Sequence, residues 1–131
     1  MNEENANRGG GACRVLIADD NPDVADSLAM LLEMEGHTVT VANDGTAALA
    51  AIETVRPAVA LLDIGMPGLD GYEVARRARA MLQDKIVLVA ITGWGQQSDK
   101  TRASAAGFDH HLTKPVEPDI INALLRDLPV D

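Results

Sequence analysis

Four groups in this chain have the residue types to do chemistry together: an acidic pair, Asp19-Asp20, a lone acid, Asp63, in the run LLDIGMPGLDGYE, a hydroxyl, Thr92, and an amine, Lys114. The first three close short apolar runs, RVLIADD, AVALLD and IVLVAIT, and Lys114 follows the more polar strand DHHLT. A carboxylate at the edge of an apolar core is costly unless something there needs it. Two carboxylates about 4 Å apart repel by roughly 4 kcal/mol at an effective dielectric near 20, so three in one pocket are unstable or partly protonated without a cation, and a divalent metal is the natural remedy. Hard oxygen donors, with no histidine or cysteine in these motifs, point to Mg2+, which keeps several waters and welcomes phosphate oxygens. With an ammonium and a hydroxyl beside it, the set suits a doubly anionic oxygen group on or next to one carboxylate. A phosphoryl group transferred to Asp63 satisfies every member: Asp63 attacks, Mg2+ neutralises charge, and Lys114 and Thr92 hold two of the oxygens.

That chemistry needs elements that bring distant residues together. RVLIADD reads as a strand, followed by a helix with Asn21 as cap, Pro22 at its first position and Gly36 at its end. Val24, Leu28, Leu31, Leu32 and Glu35 fall at three- and four-residue spacing, which predicts an inward stripe on that helix. The pattern repeats: strand 38–42 with helix 45–55, strand 58–63 with helix 70–82, strand 86–92 with a polar helix 96–106, and strand 109–113 with helix 117–128. Five strand–helix units argue for a parallel α/β sheet covered on both faces, because parallel strands need crossovers and doubly buried strands read as continuous apolar runs. Alternation does not set the strand order. In a parallel sheet all C-terminal strand ends share one edge, where ligands bind, so the acids, Thr92 and Lys114 are expected to converge there. Taken singly each has a plainer reading: Asp19 and Asp20 as helix caps, Asp63 as a turn residue, Thr92 and Lys114 as ordinary strand-end residues.

Composition bounds the rest. The chain has 131 residues, enough for one domain with a proper core, with residues 1–12 read as a polar, glycine-rich tail and 13–131 as the domain. MNEENANRGGGA does not read as a signal peptide, and the longest apolar run, Ile86 to Ile91, is far too short to span a bilayer, so neither a membrane nor export is expected and the protein is placed in the cytoplasm. The lone Cys13 cannot form an internal disulfide, in keeping with a reducing compartment. A net charge of -9 disfavours nucleic acid as a partner.

The acidic pair, the acceptor in LLDIGMPGLDG, the hydroxyl in AITG and the lysine in LTKP occur in an order and spacing that resembles the receiver domain of two-component response regulators, from Arg14 to Leu128. The resemblance implies a flavodoxin-like three-layer (βα)5 sandwich with a five-stranded parallel sheet in the order 2-1-3-4-5. It implies Asp63 as phosphoacceptor, Asp20 as direct Mg2+ ligand, Asp19 positioning a metal-bound water, and the Gly65 carbonyl completing the protein ligands. Thr92 would follow the phosphoryl group and Lys114 pair with it, with the Lys114-Pro115 bond cis. Gly65 and Trp94 stand at the positions that flank the phosphoryl group in the family. His111 stands where the family usually has a tyrosine or phenylalanine that turns inward when the threonine moves; His110 should face the other side of its strand. The polar helix 96–106, with little apolar surface, is expected to shift with Thr92 and His111.

The implied function is signalling rather than turnover: a histidine kinase or histidine phosphotransfer protein donates, Asp63 accepts, and the face built from the fourth and fifth units changes its affinity for a downstream protein. With three residues after Leu128 no output domain is expected within the chain, which would act alone or as the receiver of a hybrid kinase. Two other classes compete. An aspartyl-phosphate hydrolase of the haloacid-dehalogenase kind carries a second acid two residues after its nucleophile, where this chain has Gly65; a flavin binder would want aromatic residues, here only 2%, and a hydroxyl-rich loop after the first strand.

Overall fold

The computed structural model describes residues 13–66, 68–93 and 97–127, with residues 97–100 described by their backbone alone. Strands β1 (Arg14–Ala18), β2 (Thr38–Ala42), β3 (Val59–Asp63), β4 (Val87–Thr92) and β5 (His110–Thr113) alternate with helices α1 (Pro22–Met34), α2 (Gly45–Val55), α3 (Gly71–Leu82), α4 (Gln97–Ala106) and α5 (Pro118–Arg126). The strands form one parallel sheet in the order β2-β1-β3-β4-β5, the order implied by the resemblance.

Strand alternation sorts the core into two halves. Leu16, Ala18, Ala60, Leu62, Leu88 and Ala90 meet residues of α2, α3 and α4 on one face. Val15, Ile17, Val59, Leu61, Val89 and Ile91 meet α1 and α5 on the other. All five residues of β3 are buried, so the central strand carries its terminal carboxylate into the molecule.

The helix starts follow the expected chemistry. Asn21 accepts from the N–H groups of Asp23 and Val24 at the head of α1, Asp44 from Ala47 at α2, and Asp70 from Glu73 at α3. The stripe expected on α1 is corrected: the buried residues are Ala25, Leu28, Ala29 and Leu32, whereas Val24 and Leu31 are 48% and 43% exposed and Glu35 faces solvent. Ala25 and Ala29 pack closely against the sheet, and the helix turns so that these small residues, rather than the larger Val24 and Leu31, lie against it. β1 also stops at Ala18, short of the acidic pair, because Asp19 Oδ1 accepts the Asn21 N–H and bends the chain into α1.

Helix α4 is better anchored than its polar composition implies. Ala103 and Ala106 are buried, and the Arg102 guanidinium lies 4.1 Å from the centre of the Tyr72 ring, which meets Phe108 edge-on. At the opposite edge of the sheet from the acids, Arg79 of α3 acts as a clamp. Its guanidinium donates to the carbonyls of Gly107, Ile86 and Gln83 and to Asp109 Oδ2, which also accepts the Leu88 N–H. Near that edge His37, buried, accepts the Cys13 N–H on Nδ1 at 3.0 Å. Among the described residues no helix is long and apolar enough to cross a membrane.

Candidate functional site

The C-terminal strand ends bring the expected residues together. Ala18 pairs with Leu62 in the β1–β3 register, so Asp19, which follows Ala18, stands beside Asp63. Carboxylate oxygens of Asp19, Asp20 and Asp63 all lie within 4.8 Å of one another. Asp19 and Asp63 are each only 6% exposed, whereas Asp20 is open to solvent. Lys114 Nζ donates to Asp63 Oδ2 at 2.9 Å and lies 3.9 Å from Asp19 Oδ2. The other Asp63 oxygen accepts the Gly65 N–H at 3.0 Å.

Electrostatics follow from this packing. Burial pushes the Asp19 carboxyl above its ordinary value, with Asp63 and Asp20 adding to the rise and the Asn21 N–H and Lys114 opposing it. Burial alone would lower the Lys114 ammonium, but its hydrogen bond to Asp63 and the charges of Asp63, Asp19 and Asp20 outweigh burial and hold its pKa above the ordinary lysine value. Three carboxylates against one ammonium leave two uncompensated negative charges, all on hard oxygen donors. That donor set fits a divalent cation of the Mg2+ kind.

Thr92, buried at the end of β4, is tied to the lysine through the main chain: the Lys114 N–H donates to the Thr92 carbonyl at 2.7 Å. The Lys114-Pro115 peptide bond is cis. His111 pairs with Ala90 in the β4–β5 register, and its Nε2 lies 3.3 Å from Thr92 Oγ1. His110 is exposed and takes no part in the acidic cluster. Trp94 lies outside the described residues. Cys13 is half-buried, and burial pushes its thiol up, away from a reactive thiolate.

Several supporting residues carried no clear mark in the sequence. The Asn43 side-chain amide donates to the Asp19 carbonyl at 3.0 Å, holding the turn that presents the acids. Two glycines let backbones approach where a side chain would not fit. A Cβ on Gly71 would stand 2.7 Å from Ile64 Cα and 3.0 Å from the Asp63 carbonyl oxygen, so α3 begins directly against the end of β3. A Cβ on Gly45 would stand 1.6 Å from the Leu69 carbonyl oxygen, so α2 begins against the loop that follows Asp63. Their positions at the first turn of a helix after an aspartate cap were the only available signal. An open groove of about 870 Å³ leads from Asp19, Asp20 and Lys114 past Val24 and Leu31 of α1 to Pro115.

A doubly wound parallel α/β sheet with three acids, a threonine and a lysine gathered at its C-terminal edge defines a class of signalling domain whose acidic pocket fits a phosphoacceptor site. Residues 15–126 match the model of the response regulator receiver domain, and the chain belongs to that family. An uncharacterised 14.6 kDa protein of Leptolyngbya boryana is 37% identical over 105 residues, 79% of this chain and 80% of that protein. Response regulator MprA of Mycobacterium ulcerans is 38% identical over 115 residues, 88% of this chain and 49% of MprA, so the chain spans about half of that relative's length. Among solved structures, the chemotaxis protein CheY4 of Vibrio cholerae superposes with a TM-score of 0.82 at 28% identity, covering 89% of this chain and 99% of that one.

Proposed function

We propose that the chain is the phosphoacceptor of a two-component relay: Asp63 accepts a phosphoryl group from the phosphohistidine of a histidine kinase or histidine phosphotransfer protein. The observation that carries this reading is the convergence of the three carboxylates, with Lys114 Nζ 2.9 Å from Asp63. An oxygen of the Asp63 carboxylate forms the new O–P bond as the N–P bond breaks, and the imidazole leaves with the electron pair and takes up a proton. Asp19, Asp20, Asp63 and the Gly65 carbonyl would hold Mg2+, which when bound screens the negative charge on the phosphoryl oxygens. Lys114 supplies a fixed positive charge to one of those oxygens, and the Thr92 hydroxyl donates to another. In the family the positions that Gly65 and Trp94 occupy flank the phosphoryl group, and the residues there set how water reaches it.

Thr92 and His111 pass the change to the face formed by α4, β5 and α5, which then changes its affinity for a downstream protein. The chain's own catalysis is limited to its phosphorylation and dephosphorylation; it is not an enzyme of turnover. The exposed Val24 and Leu31, together with the groove beside them, offer the donor an apolar surface that leads to the acids. Residues 13–131 constitute the receiver and 1–12 a tail, and the protein works in the cytoplasm, away from membrane and nucleic acid. Gly65, where a dehalogenase-like phosphatase needs its second acid, weighs against a hydrolase.

The test is intact-mass analysis after incubation with Mg2+ and a phosphoramidate, whose N–P bond mimics phosphohistidine. Wild type should gain one phosphoryl group; Asp63→Asn, and wild type with a chelator, should gain none. Equal gain in Asp63→Asn, or none in wild type, overturns the assignment.

A further inference from the structure

Two loops meet at the acidic cluster, the turn after β1 that carries Asp19 and Asp20 and the loop after β3 that carries Gly65, and both are fastened to a third turn, residues 43–45 between β2 and α2. The Asp19 main chain is held on both sides: its N–H donates to the Ala42 carbonyl at 3.0 Å, and its carbonyl accepts from the Asn43 side-chain amide at 3.0 Å. The loop after Asp63 is closed at its base, where Ile64 donates to the Ile91 carbonyl at 3.1 Å and accepts the Gly71 N–H at 3.2 Å. Met66 and Leu69 pin that loop to the core. Its Leu69 carbonyl then lies so close to Gly45 that an added Cβ would stand 1.6 Å away. The turn's own acid, Asp44, gives its carboxylate to the Ala47 N–H at 2.7 Å and stands outside the acidic cluster. Residues 43–45 thus touch both loops and contribute no carboxylate to the cluster.

We propose that Asn43 and Gly45 are positioning residues for the cation: Asn43 fixes the acids that follow β1, Gly45 fixes the loop that carries the Gly65 carbonyl, and together they set the spacing between the two halves of a Mg2+ site. This rests on the reading of Asp19, Asp20, Asp63 and the Gly65 carbonyl as the ligands. Spacing matters more for Mg2+ than for a larger hard cation. Mg2+ demands near-ideal octahedral geometry at about 2.0–2.1 Å, whereas Ca2+ accepts oxygens at about 2.3–2.6 Å in flexible arrangements. A bracket that ties the two loops to one turn therefore sets selectivity as well as affinity.

The test is calorimetric titration of Mg2+ and, separately, Ca2+ into wild type, Asn43→Ala, Gly45→Ala and Arg79→Ala, at a temperature where circular dichroism shows each variant folded. Asn43 is exposed and its truncation removes one neutral hydrogen bond, so Asn43→Ala should fold and bind Mg2+ about five-fold more weakly, with Ca2+ weakened by about two-fold or less. Gly45→Ala should lose Mg2+ preference in the same direction; if it does not fold, Asn43→Ala decides. Arg79→Ala is the control, because the Arg79 hydrogen bonds lie at the opposite edge of the sheet, and it should leave both affinities as in wild type. Wild-type Mg2+ affinity in Asn43→Ala overturns this inference alone. An equal loss for both cations, or a matching loss in Arg79→Ala, also overturns it, since the effect would then be one of general stability. Wild type that binds neither cation overturns the ligand assignment and this inference with it, while the phosphoryl gain of wild type against Asp63→Asn tests the acceptor separately.

Discussion

Replacing Gly45 with alanine tests whether the close approach of α2 to the loop after Asp63 is a requirement of the fold. The added methyl would lie 1.6 Å from the Leu69 carbonyl oxygen. Carbon and oxygen approach to about 3.3 Å at closest, so either the loop or the head of α2 must retreat by roughly 1.7 Å. Both parties to the clash are backbone, with no flexible side chain to swing aside. Overpacking of this kind costs about 3 kcal/mol, and up to about 1 kcal/mol returns from replacing glycine by a better helix former. The expected net destabilisation is therefore about 2–3 kcal/mol, or roughly 8–12 °C in Tm at about 4 °C per kcal/mol for a domain of this size. The control is Gly65→Ala, whose Cβ would sit 3.7 Å from Asp63 Oδ1, an ordinary contact; it should stay within about 0.5 kcal/mol of wild type. Urea and thermal unfolding measure both. Gly45→Ala with a stability within about 0.5 kcal/mol of wild type would refute the reasoning, since the clash would then relax at no cost.

Two further outcomes follow from the opposite edge of the sheet. Burial lowers the His37 pKa, against the opposing pull of Glu35, and its Nδ1 already accepts the Cys13 N–H, so the folded chain favours the neutral ring. The unfolded ring takes a proton near pH 6.5, so between there and the lower folded value the unfolded state binds more protons. Stability should fall as pH drops through that window and be unaffected by this group above it; His37→Gln should flatten the difference between urea midpoints at about pH 7.5 and pH 5.5. Arg79→Ala should cost about 1.5–3 kcal/mol by leaving the Gly107 and Ile86 carbonyls without their charged donor, and should raise amide exchange at Leu88. Arg79→Lys should not restore it, because one ammonium cannot span carbonyls on separate segments as the guanidinium fork does.

Much of the candidate site was legible because its residues break a rule that the rest of each strand obeys. β3 is apolar until Asp63, β4 until Thr92, and a lone acid or hydroxyl at the end of a buried run marks a functional edge. The strand order was not legible from alternation and came from the resemblance to a family. Hydrophobicity alone ranks Val24 and Leu31 above Ala25 and Ala29 and points to the wrong face of α1, because close packing of the helix on the sheet favours the small residues. Arg79 and Asn43 carry no mark in the sequence because their partners are main-chain carbonyls brought near by the fold, which leave no pattern in residue type. Gly45 and Gly71 owe their importance to a neighbouring backbone distant in sequence.

The rung between Lys114 and Thr92 has a consequence for how an anion would be held. One main-chain hydrogen bond of 2.7 Å joins the residue that carries the ammonium to the residue that carries the hydroxyl. The two therefore resemble the arms of a preassembled chelator: binding by one arm delivers the other at a high local concentration, without a separate loss of freedom. Ligands long enough to reach both arms gain this advantage, and monatomic anions do not. Chloride should therefore compete poorly at this edge even where it is abundant.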